Sequence, residues 1–263
     1  MRKKGFPIPK RVYTFDGKPF AHVDNECYQV NEWIQGNTYH PGELTREGAY
    51  SMGNLLGRFH SFCADNKSAR EIQLPTPSEG IRCCKDMLER YKPYEGEFAD
   101  MAKAVLSEQI AILEALPDNF FRDLKLVATE GTIYNSFWIE QLMFKNNWEA
   151  AALIDWTDGA GKKGFWADDI VCGAHLSALG LEEIIAYCRG YHDANPLCKE
   201  EWSTVLAMLC YGHVAQTNFL FPWLQQTNRR MEHWEKIAVT WHTQIPKRYY
   251  QWQELKERVL EFI

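Results

Sequence analysis

The stretch that decides the fold runs Val-Ala-Thr-Glu-Gly-Thr-Ile-Tyr-Asn-Ser-Phe-Trp from Val127 to Trp138, and resumes as Ala-Ala-Ala-Leu-Ile-Asp-Trp from Ala150 to Trp156. Two apolar runs, 121–127 and 148–154, read as strands. The first leads into a loop that ends at Asn135, and the second runs directly into Asp155. An amide and a carboxylate at neighbouring strand ends are hard oxygen ligands of the kind Mg²⁺ prefers.

Outward from there, the N-terminal side reads as β-rich. Strands are expected over 11–15, 20–23 and 27–33, with Asp16-Gly17 as a turn between the first two. Glu32-Trp33-Ile34-Gln35-Gly36 ends this section at a glycine turn. A helix is expected over 45–66, capped by Thr45 and carrying Met52, Leu55, Leu56, Phe59 and Phe62 at helical spacing. Residues 67–78 read as a proline-bearing loop. Ser78 would cap a helix to Tyr91, and another follows over 95–116. Glycines 159, 161 and 164 with Lys162 and Lys163 suggest a surface turn, because they lack the order of a phosphate-binding P-loop. Helices are expected over 169–178, 181–195, 199–219, 229–243 and 249–262.

Composition narrows the function classes. The 263 residues are enough for a sizeable core in one or two domains. A net charge of −6 lacks the basic footprint of a nucleic-acid binder. No apolar run reaches the 18 residues of a membrane span, and the basic N-terminus has no apolar core of a signal peptide. The eight cysteines form no C-x-x-C pair, so reduced thiols in a cytoplasmic protein are the expectation.

At the deciding stretch the chain resembles the aminoglycoside phosphotransferase and choline kinase-like small-molecule kinases, including spore-coat kinase relatives. Their pattern is His-Gly-Asp, four residues, Asn, and later Ile-Asp-Phe or Ile-Asp-Trp. Asn135 and Ile154-Asp155-Trp156 match its last two parts, while Ala128, Thr129 and Glu130 stand where His, Gly and the base Asp belong. The resemblance implies an α+β, protein kinase-like fold with a reduced β N-lobe (1–36) and a mainly helical C-lobe (37–263) holding the segment 127–156. It implies that Glu32, Trp33 and Ile34 form the hinge for an adenine edge. Asn135 and Asp155 would hold Mg²⁺ beside ATP, and Glu130 would occupy the base position. Asp169, favoured over Asp168 because Ile170 follows it, would support the loop through backbone hydrogen bonds. Leu55-Leu-Gly-Arg-Phe-His60 resembles the family's helix after the hinge, with His60 as a packing or capping group.

No glycine-rich loop and no Val-Ala-x-Lys precede Glu32. Two functional readings follow. One is a degenerate kinase-like protein that binds a small molecule, or a partner chain completing the N-lobe. The other is an active kinase that phosphorylates an amino-sugar, choline or homoserine-like hydroxyl. A third reading leaves Asn135 and Asp155 as ordinary turn residues of an unrelated α+β domain.

Overall fold

A computed structural model describes residues 6–65, 67–120, 125–155, 161–212, 214, 244 and 247–263. The chain opens with short antiparallel strands. β1 (Arg11–Val12) pairs with β4 (Val30–Asn31), and β2 (Ala21–Val23) pairs with β3 (Glu26–Tyr28), each as a two-stranded unit. Asp24 and Asn25 make the β2–β3 turn at positive φ, a conformation that short polar side chains tolerate. Ahead of β1, Phe6 is buried against Phe59, and the Leu153 N–H donates to the Pro7 carbonyl.

Helix α1 (Arg46–Phe62) starts at Thr45, whose hydroxyl accepts from Gly48 N. Next comes β5 (Ser68–Ile72), within the span read from sequence as loop. Its Ser-Ala-Arg-Glu-Ile has no apolar alternation, and it is a strand because β6 supplies the ladder, from Ser68↔Glu130 to Ile72↔Leu126. Helix α2 (Pro77–Tyr91) is capped by Thr76 in a reciprocal box with Glu79, with Pro77 in the first turn, so the cap lies two residues before the expected Ser78. α3 (Glu97–Glu114) packs on it around Met87, Tyr91, Phe98 and Leu106.

Strand β6 (Leu126–Ile133) corrects the sequence reading most. It continues through Ala128, Thr129 and Glu130, which were expected in a loop, because β5 and β9 pair with it on either side. Residues 121–124 of the expected strand lie outside the described residues. A 3₁₀ turn, Ile139–Gln141, leads into β7 (Leu142–Phe144), which pairs with β8 (Ala150–Leu153). β9 (Lys162–Phe165), expected as a surface turn, is the third strand of the β5-β6-β9 sheet. α4 (Trp166–Leu176), α5 (Leu181–Ala194), α6 (Lys199–Ala207) with a π turn at Met208–Gly212, and α7 (Trp252–Leu260) complete the described fold. The expected helix 229–243 lies outside the described residues.

The main core gathers α1, α4, α5, α6 and the strands around Phe59, Phe137, Trp166, Tyr187 and Trp202. α1 and α5 touch backbone to backbone. A Cβ added at Gly53 would lie 2.0 Å from the Tyr187 carbonyl oxygen, and one at Gly190 would lie 2.0 Å from that of Tyr50. Only glycine permits this approach. All eight cysteines are free thiols. Among the described residues no helix is long and apolar enough to cross a membrane.

Candidate functional site

The loop between β6 and β7 is held at its start by α4 and at its end by Ser177, the C-cap of that helix. At its start, Asp169 Oδ2 accepts from the Tyr134 N–H at 2.5 Å, and Oδ1 accepts from the Asn135 N–H at 2.8 Å. At its end, the Ser177 hydroxyl oxygen accepts from the Ile139 N–H at 2.9 Å. Asp169 is 1% exposed, and a buried carboxylate needs this many donors to stay satisfied. His60, on α1, supplies another at 3.0 Å from Nε2 to Oδ2.

Behind His60 the chain of bonds continues. Its Nδ1 lies 2.8 Å from the Tyr191 hydroxyl, and Asn195 Nδ2 donates to that hydroxyl at 2.9 Å. One proton placement satisfies every group: Asn195 donates to Tyr191, Tyr191 to His60, and His60 to Asp169, with the imidazole neutral. Burial holds the His60 pKa below its ordinary value, against the pull of Asp169. Trp166 stacks flat on the ring, 5.0 Å between centroids and 5° between planes.

Asn135 sits at φ +73°, the left-handed region. Glycine occupies that region freely, and Asn is among the few other residues that accept it. Position 135 thus combines a left-handed backbone with an N–H given to Asp169. Asp155 follows β8, and its neighbour Ile154 donates its N–H to the Gln141 carbonyl at 2.9 Å. With the Gln141 amide oriented to satisfy its surroundings, its nitrogen donates to Asp155 Oδ2 at 3.2 Å and its oxygen accepts from Trp138 Nε1 at 2.9 Å. The carboxylate at 155 is thus joined to the loop through Gln141.

Glu130 lies six residues before Ser136, inside β6. Its Oε2 is 2.8 Å from Arg70 and 2.9 Å from Lys163, one cation from each flanking strand. Lys163, then Arg70, hold its pKa below the usual carboxylate range. A base in that condition has little affinity for a proton at neutral pH. Thr129, its neighbour, is hydrogen-bonded to Glu201 of α6.

Glu32, Trp33 and Ile34 line an apolar cavity of about 210 Å³ together with Pro9, Met143 and Ile154. It has room for a ring-sized group, below the roughly 300–1,000 Å³ of sites for drug-sized ligands. Glu32 N donates to the Lys10 carbonyl at 2.7 Å, while the Trp33 side chain is 88% exposed. Ile154, which forms one wall, immediately precedes Asp155 in the chain.

Among the described residues no three His, Cys, Asp or Glu side chains gather as a metal site. Asp155 and Gln141 offer one carboxylate and one amide oxygen. Such a set suits Mg²⁺ only when phosphate and water complete the shell. Turning the amide oxygen to a cation would also give up its bond from Trp138. The residues that sequence reasoning missed are Ser136, Gln141 and Ser177. Gln141 had a visible signal: the apolar strand Leu142-Met-Phe144 begins immediately after it.

No family model and no curated protein matches this chain by sequence. Solved structures do match by shape. An aminoglycoside phosphotransferase from Alicyclobacillus acidocaldarius superposes with a TM-score of 0.61 at 15% identity, over 99% of this chain and 80% of that one. A spectinomycin phosphotransferase, solved with ADP and spectinomycin, gives 0.51 at 12% identity, over 94% and 80%. A microcompartment-associated aminopropanol kinase gives 0.51 at 13%, over 96% and 77%. The chain has the protein kinase-like fold of the aminoglycoside phosphotransferases.

Proposed function

We propose that this chain is a nucleotide-binding protein on the phosphotransferase fold that has lost phosphoryl transfer. The observation that carries the reading is the pair of bonds from Asp169 to Tyr134 N and Asn135 N. In kinase-type loops a base Asp precedes a metal-binding Asn by five positions. Aligning the loop on the Asp169 bonds puts Tyr134-Asn135-Ser136 against His-Gly-Asp. The positive φ at Asn135 then falls where the pattern has glycine. Gln141, five positions after Ser136, takes the place of Asn, and it contacts Asp155. This register moves the base position from Glu130 to Ser136 and the amide ligand from Asn135 to Gln141.

The chemistry follows from the side chains. A serine hydroxyl with no carboxylate in its place cannot take the acceptor's proton as a base Asp does. Gln141 and Asp155 retain oxygen donors for a Mg²⁺ shared with phosphates, and that ion would neutralise phosphate charge. The cavity at Glu32, Trp33 and Ile34 would take the adenine ring.

Isothermal titration with ATP and Mg²⁺ tests this. Micromolar binding is expected, weakened about tenfold or more, ~1.4 kcal/mol, by Gln141→Ala or Asp155→Ala. Asn135→Gly should leave it unchanged. The second reading is an active kinase with Glu130 as base. Its support is that Glu130 is the carboxylate nearest along β6, and its difficulty is the depressed pKa. Phosphorylation of an amino-sugar, choline or homoserine-like acceptor, abolished by Glu130→Gln, would establish it and refute ours.

A further inference from the structure

The apolar exposure of this molecule is concentrated in one place. Eight of the eleven large apolar side chains that are exposed among the described residues fall between Val12 and Trp33. Phe15 is fully in solvent, and Tyr13 is 62% exposed. Val12 faces Val30 directly across the β1–β4 ladder, and Tyr28 lies opposite Ala21 on β2–β3.

Neither two-stranded unit has a second layer on it or a third strand beside it among the described residues. Isolated pairs of this kind are only marginally stable in water. Unpaired outer strands are also templates for another chain. The five exposed aromatics alone offer roughly 700 Å² when a fully exposed ring is taken at ~200 Å². Val12, Val23 and Val30 add to it. The total is close to the ~800 Å² that each partner contributes to a standard specific interface.

Charge identifies the occupant. The whole chain carries −6, but residues 10–33 hold three cationic against four anionic side chains. Two of the cations are neutralised locally, Lys10 by Glu32 at 3.1 Å and Lys18 by Asp16 at 2.8 Å. A nearly neutral apolar face can meet its own copy without the repulsion that the rest of the surface would impose. We infer that residues 11–33 are the interface of a two-fold homodimer, in which the β1–β4 and β2–β3 units of two copies cover each other. Isologous pairing is the commonest closed arrangement. The inference uses none of the Gln141–Asp155 chemistry, and although Glu32 and Trp33 also line the cavity proposed for adenine, Tyr13, Phe15 and Val23 lie outside that cavity, so changing them tests the dimer without touching nucleotide binding.

Sedimentation velocity on the full chain, with hydrogen–deuterium exchange at low and high concentration, tests it. The expected result is a dimer at micromolar concentration, with protection rising over residues 11–33 as the dimer forms. Tyr13→Ser with Phe15→Ser should raise the dissociation constant about 100-fold, as loss of two aromatic anchors does. Circular dichroism would establish that the variant is folded, and if it is not, Val23→Lys on β2 gives the same readout from another strand. A monomer at every concentration would overturn the inference. So would a dimer protected elsewhere, or a monomer that holds a different polypeptide on this face.

Discussion

The buttress behind the β6–β7 loop and the tip of that loop have been treated differently. Behind it, Asn195, Tyr191, His60 and Asp169 form an unbroken line of donors and acceptors that ends on two backbone N–H groups. At the tip, the register proposed above puts Ser136 where the kinase pattern has a base carboxylate and Gln141 where it has Asn. The contrast teaches that a loop's geometry and its chemistry are separately encoded. Buried polar groups keep their partners because leaving one unpaired is costly. Ser136 and Gln141 are only half-buried and lie outside that line of bonds, so the buttress does not dictate their identity.

The sharpest way to break the comparison is to remove its centre. Asp169→Ala strips both backbone donors and His60 of their acceptor at once. Thermal unfolding should show a loss of about 3–5 kcal/mol, the range for removing one partner of a buried pair. If the loss is below about 1 kcal/mol, typical of a surface site, the buttress is not what holds the loop.

A smaller effect should come from pH. The folded state holds the His60 pKa below its unfolded value, so the unfolded chain binds the extra proton more readily. The stabilisation is present above the unfolded pKa of roughly 6.5 and is lost as pH falls below it, at up to ~1.4 kcal/mol per pH unit. Denaturant titrations from neutral to acid pH, run beside His60→Gln, isolate it: the variant should have the shallower slope over the upper part of this range.

The smallest effect sharpens the distinction between conformation and chemistry at position 135. Asn135→Ala should cost about 1–2 kcal/mol, because a Cβ without a local hydrogen-bonding group is disfavoured in the left-handed region. Asn135→Gly should be neutral in thermal unfolding. Equal costs for both substitutions would mean that the amide side chain, not φ, is what the site needs.

The sequence carried some of this and hid the rest. Ile154-Asp155 was legible because an apolar strand ended in an acid, and Asp169 because it preceded Ile170 at a helix start. The loop register was not. Asn135 reads on paper as a metal ligand, and its positive φ appears only with a backbone. Glu130 lies at the matching spacing from Asn135, and only the register proposed here moves the base position to Ser136. β5 and β9 were missed for a related reason: Ser-Ala-Arg-Glu-Ile and Lys-Lys-Gly-Phe have no strand pattern of their own, and β6 imposes one on them. The capping box of α2 was hidden behind Pro77, which shifted attention to Ser78.

The contact at Gly53 and Gly190 has a mechanical corollary. Where two helices meet carbonyl to α-carbon, no side chains remain to act as a bearing, and sliding one past the other would drive backbone into backbone. α1 carries His60 and α5 carries Tyr191, so the spacing between those two rings is fixed by that seam. The platform under the loop is thereby fixed by backbone contact as well as by its hydrogen bonds.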